Sequence, residues 1–433
     1  MPDNAVPALR IPAHAQDELN PGSIGALTAT VVGMLLGTGP MIVSVLSLLV
    51  TAISHDMGWS RTTFSLVSPI MAWTSAAMAP FYGRLMDRFG VRRVMIPAIA
   101  GFGLFYMGLG LLTRATWQFF LIYFLIGAAA SAMGPVGYNK LLAQWFTRSR
   151  GLAIALCAAA GSGMGYALAP QIANWLINTH GWRGAYVGIS LLVLCVSLPV
   201  ALLFMRERSQ PGPQDAPGSS RYEAAPAPAH EGLALREGIR TATFWLLVVI
   251  LFLPGNAYYG ILIHFVPIVT DHGLSRNVAA TALSSVAIGA IAGQLAASAL
   301  LDRVASPRVA LPFLVCGLAG LLLVQSAHTT SAFIVAAVLI GIGQGSENSV
   351  VAYMTSRLLG LKSFGVFFGL IFGALTFAAG MAPLLMGYVF DHAGSYQPVL
   401  LAFDAAMVVA LVAVFFLPPY AYGHKVAASP RPR

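Results

Sequence analysis

Long apolar stretches separated by short polar breaks dominate the chain. They fall at about 24–52, 63–86, 94–113, 117–141, 151–176, 184–205, 243–269, 279–301, 309–326, 331–355, 364–390 and 397–419. A helix crossing a bilayer needs roughly 20 mostly apolar residues, and each run is of that order. Inside lipid only helices and closed barrels satisfy the backbone. Barrel strands show short alternating patterns, whereas these runs are unbroken. The pattern predicts an all-α polytopic membrane protein with twelve transmembrane helices.

One segment departs from the pattern. Residues 206–240 read "RERSQPGPQDAPGSSRYEAAPAPAHEGLALREGIR", rich in Pro, Ala, Ser and charge, the composition of a flexible polar linker. The predicted organisation is a tail at 1–23, six helices at 24–205, the linker at 206–240, six helices at 241–419 and a second tail at 420–433. The two groups of six repeat. "GRLMDRFGVRR" (83–93) has a fainter copy, "SALLDRVASPR" (298–308), in which Asp87-Arg88 recurs as Asp302-Arg303. "RGLAIALCAAAGSGMGYALAP" (150–170) resembles "FGVFFGLIFGALTFAAGMAP" (364–383), and "HGWRGAY" (180–186) resembles "AGSYQPV" (393–399). Recurrence in order, at offsets of 213 to 215, marks paired pseudo-repeats, a plan of secondary transporters with the site between the halves.

Charge sets the orientation. The chain is 58% hydrophobic and 9% charged, with a formal net charge of +9. With a cytoplasmic N-terminus, 20 of the 24 Lys and Arg residues fall on one side, leaving Arg61, Arg114, Arg183 and Arg276 on the other. The positive-inside rule then places both termini and the linker in the cytoplasm. The basic balance belongs to membrane orientation, so nucleic acid is not an expected partner. Cys157, Cys195 and Cys316 lie inside apolar runs without metal or disulfide spacing and read as small buried apolar residues. The polar N-terminus lacks the basic and apolar regions of a signal peptide.

With these residues in view, the chain resembles the major facilitator superfamily over nearly its whole length. Gly83, Leu85, Asp87, Arg88, Gly90, Arg92 and Arg93 match that superfamily's loop between its second and third helices. Within it the chain is similar to bacterial relatives of the monocarboxylate porters and the oxalate/formate antiporters. "MGWSRTTFS" (57–65), "WFTRSRGLA" (145–153) and "GQGSENSVVAYMTSRLLGLKSFG" (343–365) carry that likeness, with Glu347, Tyr353 and Arg357 in a form of the tenth helix. Two features depart from it. Those porters carry an Arg in the eighth helix and the antiporters a Lys in the eleventh, and neither is present inside "AATALSSVAIGAIAGQLAASAL" or "FGVFFGLIFGALTFAAGMAPLLMGYVF".

Charged side chains within a membrane are functional candidates by default. Glu347 lies near the middle of the tenth span among Gly341, Gly343 and Gly345, with Gln344 one turn away. It reads either as a protonatable carboxylate coupling solute to protons or as an interhelical lock. Lys140, beside Tyr138 and Asn139 near the end of the fourth span, either reaches a central cavity or snorkels to the interface. His264 in the seventh span is an anion donor or a satisfied core histidine. Asp404 in the twelfth reads as a structural partner. "LPGNAYYG" (253–260) predicts a break in the seventh helix that sets Asn256, Tyr258 and Tyr259 at mid-depth, and "GTGP" (37–40) predicts a similar break beside Thr38. Gln171 and Asn174 complete the candidates. Asp87, Arg88, Arg92, Asp302, Arg303 and Arg357 are expected to act at gating loops.

The expectation is a monomeric secondary transporter of the bacterial inner membrane, not an enzyme. It moves a small organic anion by alternating access, with a proton and without a cofactor or metal. A monocarboxylate, including a product of aromatic catabolism, is the expected solute. Anion exchange and proton-driven efflux of a lipophilic compound are the alternatives.

Overall fold

The computed structural model describes residues 20–113, 115–146, 149–207, 232–301, 303–304 and 306–422. Each predicted apolar run lies on helix. In chain order these are α1 (Pro21–Met57), α2 (Arg61–Phe89), α3 (Val91–Leu109), α4 (Thr116–Trp145), α5 (150–180), α6 (182–204), α7 (Ala242–Asp271), α8 (Arg276–Leu301), α9 (Pro307–Ser326), α10 (Thr330–Leu358), α11 (Phe364–Ala393) and α12 (Gln397–Phe415). Among the described residues ten helical segments are long and apolar enough to cross a membrane, with α5 and α6 counted together as Leu152–Phe204 and α3 outside the set.

Polar caps and glycines end these helices where the sequence supplies them. Ser60, Thr241 and Thr329 accept the N–H groups of Thr63, Phe244 and Ala332 at helix starts, satisfying donors that have no partner inside the helix. Gly181 divides α5 from α6 at φ 71°, and Gly394 ends α11 at φ 67°. Both φ values lie in the left-handed region that favours glycine. The two glycines occupy matching places in the repeat, but they turn the chain differently, with ψ 178° at Gly181 and 8° at Gly394.

α1 is interrupted as predicted. Its helix stops at Leu35, turns through Leu36 and Gly37, and resumes as a wide π-type turn over Gly39–Ser44. A π-turn displaces backbone carbonyls from their regular partners. Here Tyr106 on α3 donates to the Met41 carbonyl at 2.8 Å, and Ser44 donates to the Pro40 carbonyl at 2.6 Å.

α7 differs from expectation. It runs unbroken from Ala242 to Asp271 through Pro254 and Pro267. Packing explains this. Pro254 and Gly255 are buried, and Gly255 sits against Leu375 of α11. The Asn256 side chain donates to the Phe252 carbonyl at 2.7 Å, and neighbours that re-satisfy the backbone let prolines persist in a membrane helix. Asn256, Tyr258 and Tyr259 therefore lie on one continuous helix.

In the second bundle the tightest seam joins α8 and α10. A Cβ at Gly289 would fall on the backbone of Val338, at Gly293 on Ile342, at Gly341 on Val286, and at Gly345 on Ala290. Small residues four apart let membrane helices meet backbone to backbone. α9 joins α12 through Gln325, which donates to Asp404 at 2.7 Å. Cys157 is buried and Cys316 half-buried, but Cys195 lies on the outer surface of α6, the surface that a bilayer covers in a membrane helix.

Candidate functional site

Four clusters follow from this packing. The first is inside the second bundle. Glu347, midway along α10, is only 8% exposed, and its Oε1 has no hydrogen-bond partner among the described residues. The α8 seam occupies the Gly341 and Gly345 face of α10, so the carboxylate faces α7 and α9. It borders a cavity of about 20 Å³ between those helices, next to Ser346 and Val350. Tyr258 on α7 is fully buried against Gly317 and Gly343, and its hydroxyl also has no hydrogen-bond partner among the described residues.

The second cluster lies between the bundles. Tyr259, adjacent to Tyr258 in sequence, is within electrostatic reach of Glu347 and of Tyr166 of α5 in the first bundle, and Glu347 reaches Tyr258 as well. Tyr166 itself packs on Gly39 in the π-turn of α1. Thr38 lies beside that turn and is 9% exposed.

The third cluster seals the end opposite the basic loops. Asp391, at the end of α11, accepts the first backbone N–H groups of α2, from Arg61 at 3.1 Å and from Thr62 at 2.8 Å. One bundle thus caps a helix of the other. The Arg61 guanidinium donates to Asp271 of α7 at 2.8 and 3.2 Å and to the Tyr396 hydroxyl at 2.6 Å, and lies 3.6 Å above the Phe390 ring. Tyr396 passes its own proton donation to His264 Nδ1 at 2.8 Å, and His264 Nε2 donates to the Pro383 carbonyl at 2.9 Å. These directions follow from the network and assign the Nε2–H tautomer. Ser65 is 3.1 Å from the same Nε2. His264 is 0% exposed with both ring nitrogens engaged, so in this conformation it belongs to the seal and offers no free nitrogen to a solute.

Further bonds join the bundles on this side: Asn174 to Asn277 at 2.7 Å, Gln171 to Ser284 at 3.2 Å, and Val266 N–H to Ser47 at 3.0 Å. Toward the basic end α2 and α11 part. Trp73 and Phe377 stack with centroids 5.4 Å apart. Beyond them Gly365, Gly369 and Gly373 of α11 face open space, and Phe81 and Phe372 are exposed.

The fourth cluster is the basic loop. Lys140 forms an ion pair with Asp87. They share a cleft of about 530 Å³ with Arg92, Arg93, Gln144 and Glu207. Lys140 is thereby held at the loop. Glu207 accepts the Arg92 backbone N–H at 2.6 Å, and the Arg92 guanidinium donates to the Leu202 carbonyl at 2.7 Å. Arg88 lies over Phe89, and Arg357 over Tyr353. Arg303 is exposed, and its predicted neighbour Asp302 lies outside the described residues. Tyr138 is buried against Gly33, Asn139 has a buried oxygen with no partner among the described residues, and Gln344 is half-buried on α10.

Comparison with known proteins decides the family. A family model described as Major Facilitator Superfamily matches residues 26–280 and 261–432. The chain belongs to that superfamily. It is a membrane transporter and not an enzyme. It is 26% identical to a gallate transporter of Pseudomonas putida over 382 residues, covering 79% of this chain and 84% of that protein. It is 27% identical to monocarboxylate transporter 11 of Homo sapiens over 354 residues, covering 75% and 70%. In fold it is similar to a bacterial homolog of the human lysosomal transporter Spinster in an inward-facing, unoccupied conformation, with a TM-score of 0.64, 16% identity and coverage of 92% and 95%. The nucleoside transporter NupG gives a TM-score of 0.68 at 13% identity, covering 91% and 99%.

Arg61, Asp271, Asp391, Tyr396 and Tyr166 did not emerge as site candidates from the sequence. A signal for the first three was present. Arg61 lies on the side nearly free of basic residues, and Asp56, Asp271 and Asp391 lie there too. The structure pairs Arg61 with Asp271 and Arg183 with Asp56.

Proposed function

We propose that this transporter takes up a small organic anion across the bacterial inner membrane by alternating access, coupled to protons, with the basic end and both termini cytoplasmic. The observation that carries the reading is Glu347, a carboxyl group at mid-depth with no ion-pair partner among the described residues. A bare charge there costs several kcal/mol, so carrying a proton favours the reorientation that the solute needs. The named relatives support a monocarboxylate, and the gallate transporter of Pseudomonas putida supports an aromatic one.

Cations that would hold the carboxylate are scarce on the path. Lys140 is tied to Asp87. In this reading hydroxyl donors replace them, Tyr166 from the first bundle and Tyr259 from the second. A hydrogen bond to a charged group contributes about 1.5 kcal/mol, so Tyr259→Phe is expected to raise the KM for uptake about tenfold. Equal KM values would remove Tyr259 from the solute site.

The deciding experiment is uptake by proteoliposomes screened over aliphatic and aromatic monocarboxylates, with and without a pH gradient. One proton per solute and a gradient of one unit support about tenfold accumulation. Glu347→Gln is expected to equilibrate the solute and to exchange it, but not to concentrate it. A variant that still concentrates solute overturns the coupling role. A wild type that only exchanges makes the protein an exchanger.

A further inference from the structure

The cavity beside Glu347 lies inside one bundle, not between the two. Its walls come from α7, α9 and α10, with Leu251, Ala310, Leu314 and Val350 among them. Ala310 and Leu314 belong to the first turns of α9, which begins at the basic end, and Val350 lies on the basic side of Glu347 along α10. The cavity therefore extends from the carboxylate toward the basic end. On the other face of α10 the glycine seam with α8 leaves no room for water.

From this placement we propose that Glu347 exchanges its proton with basic-end water through a crevice inside the second bundle, separate from the route of the solute. The inference rests on the coupling role proposed for Glu347. A single water occupies roughly 10–15 Å³ of such space, and the cavity measures about 20 Å³. Polar contacts for it are Glu347 Oε1 and Ser346 Oγ, whose own proton is donated to the Gly343 carbonyl at 2.7 Å. The remaining wall is apolar, so hydration beyond one molecule is transient.

In the transfer the Glu347 O–H bond breaks and the proton joins the bridging water, which releases one of its own protons toward the basic end. The carboxylate keeps the electron pair, and nothing is oxidised. The titratable groups facing Glu347 from the packed helices are Tyr258 and Tyr259 on α7, with Cys316 on α9 acting on Tyr258.

Hydrogen–deuterium exchange at the Glu347 carboxyl, followed by infrared spectroscopy of the full-length protein, tests the route without a solute. Its C=O band is the one lost in Glu347→Gln. Ala310→Leu fills the cavity and is expected to slow exchange by about tenfold or more, leaving it to rare openings of the bundle. Leu314→Ala widens the cavity and is expected to speed it, and because it adds no bulk it remains informative if Ala310→Leu fails to fold. Unchanged exchange in both variants, or acceleration in both, overturns the crevice. If instead no protonated carboxyl band is lost in Glu347→Gln and that variant still concentrates solute, the coupling role itself fails.

Discussion

Alanine at position 61 is expected to open the end of the protein that the wild type keeps sealed. Arg61 joins the bundles through Asp271, Tyr396 and the Phe390 ring, with its side chain only 15% exposed. Hydrogen bonds to charged groups contribute about 1.5–3 kcal/mol, while half-exposed ion pairs are screened and contribute less. Losing the set is expected to shift the balance of conformations by about 2 kcal/mol, or roughly thirtyfold. Ser47→Cys, in a background with the three native cysteines replaced, reports the change. Ser47 is fully buried and accepts from Val266 across the bundles. A membrane-impermeant thiol reagent is expected to label it faster when Arg61→Ala is added. Equal labelling rates would show that Arg61 does not hold the seal. Asp391 gives an independent check, because it contacts the α2 backbone. Asp391→Asn keeps an acceptor oxygen but loses the charge at the helix start, so a smaller increase in labelling is expected.

Gly345→Val is expected to have the largest effect on stability. Its Cβ would overlap the backbone of Ala290, and the neighbouring wall of the seam is also backbone, which cannot move aside by a rotamer change. Overpacking a core typically costs 1–3 kcal/mol, occasionally more, and a backbone clash belongs at or above about 3 kcal/mol. Thermal unfolding in detergent should show a lower midpoint and less folded protein. Gly373→Ala is the control, since open space surrounds that position on α11 and replacing a helical glycine by alanine adds about 0.5–1 kcal/mol. If both variants melt together, the α8–α10 seam does not set stability.

The helices and the repeat were legible in the sequence because lipid leaves the backbone few options. The turn glycines Gly181 and Gly394, read as matching positions, both adopt a positive φ, though with ψ of 178° and 8°. The break in α1 was legible as well. The break in α7 was not, because whether a proline interrupts a membrane helix depends on what packs against it, and α11 holds α7 straight. The site was less legible than the fold. Glu347 stood out as a rare intramembrane carboxylate, but the direction it faces depends on the α8 seam. The Arg61 clasp joins residues separated by 210 to 335 positions, a pairing that no local pattern displays. For Lys140 the sequence leaves a central cavity and the interface open, and the structure pairs it with Asp87.

Asp391 has a consequence for what surrounds the protein when it opens. While the bundles are joined, its carboxylate covers the two leading N–H groups of α2, and Asp271 covers the guanidinium beside them. Any conformation that parts the bundles at this end uncovers all of these donors at once, on a surface that already carries the positive end of a helix dipole. Water satisfies them, and an anion satisfies them better. Opening is therefore less costly in an anion-rich medium, and any anion that reaches this end meets first the groups that had been holding it closed.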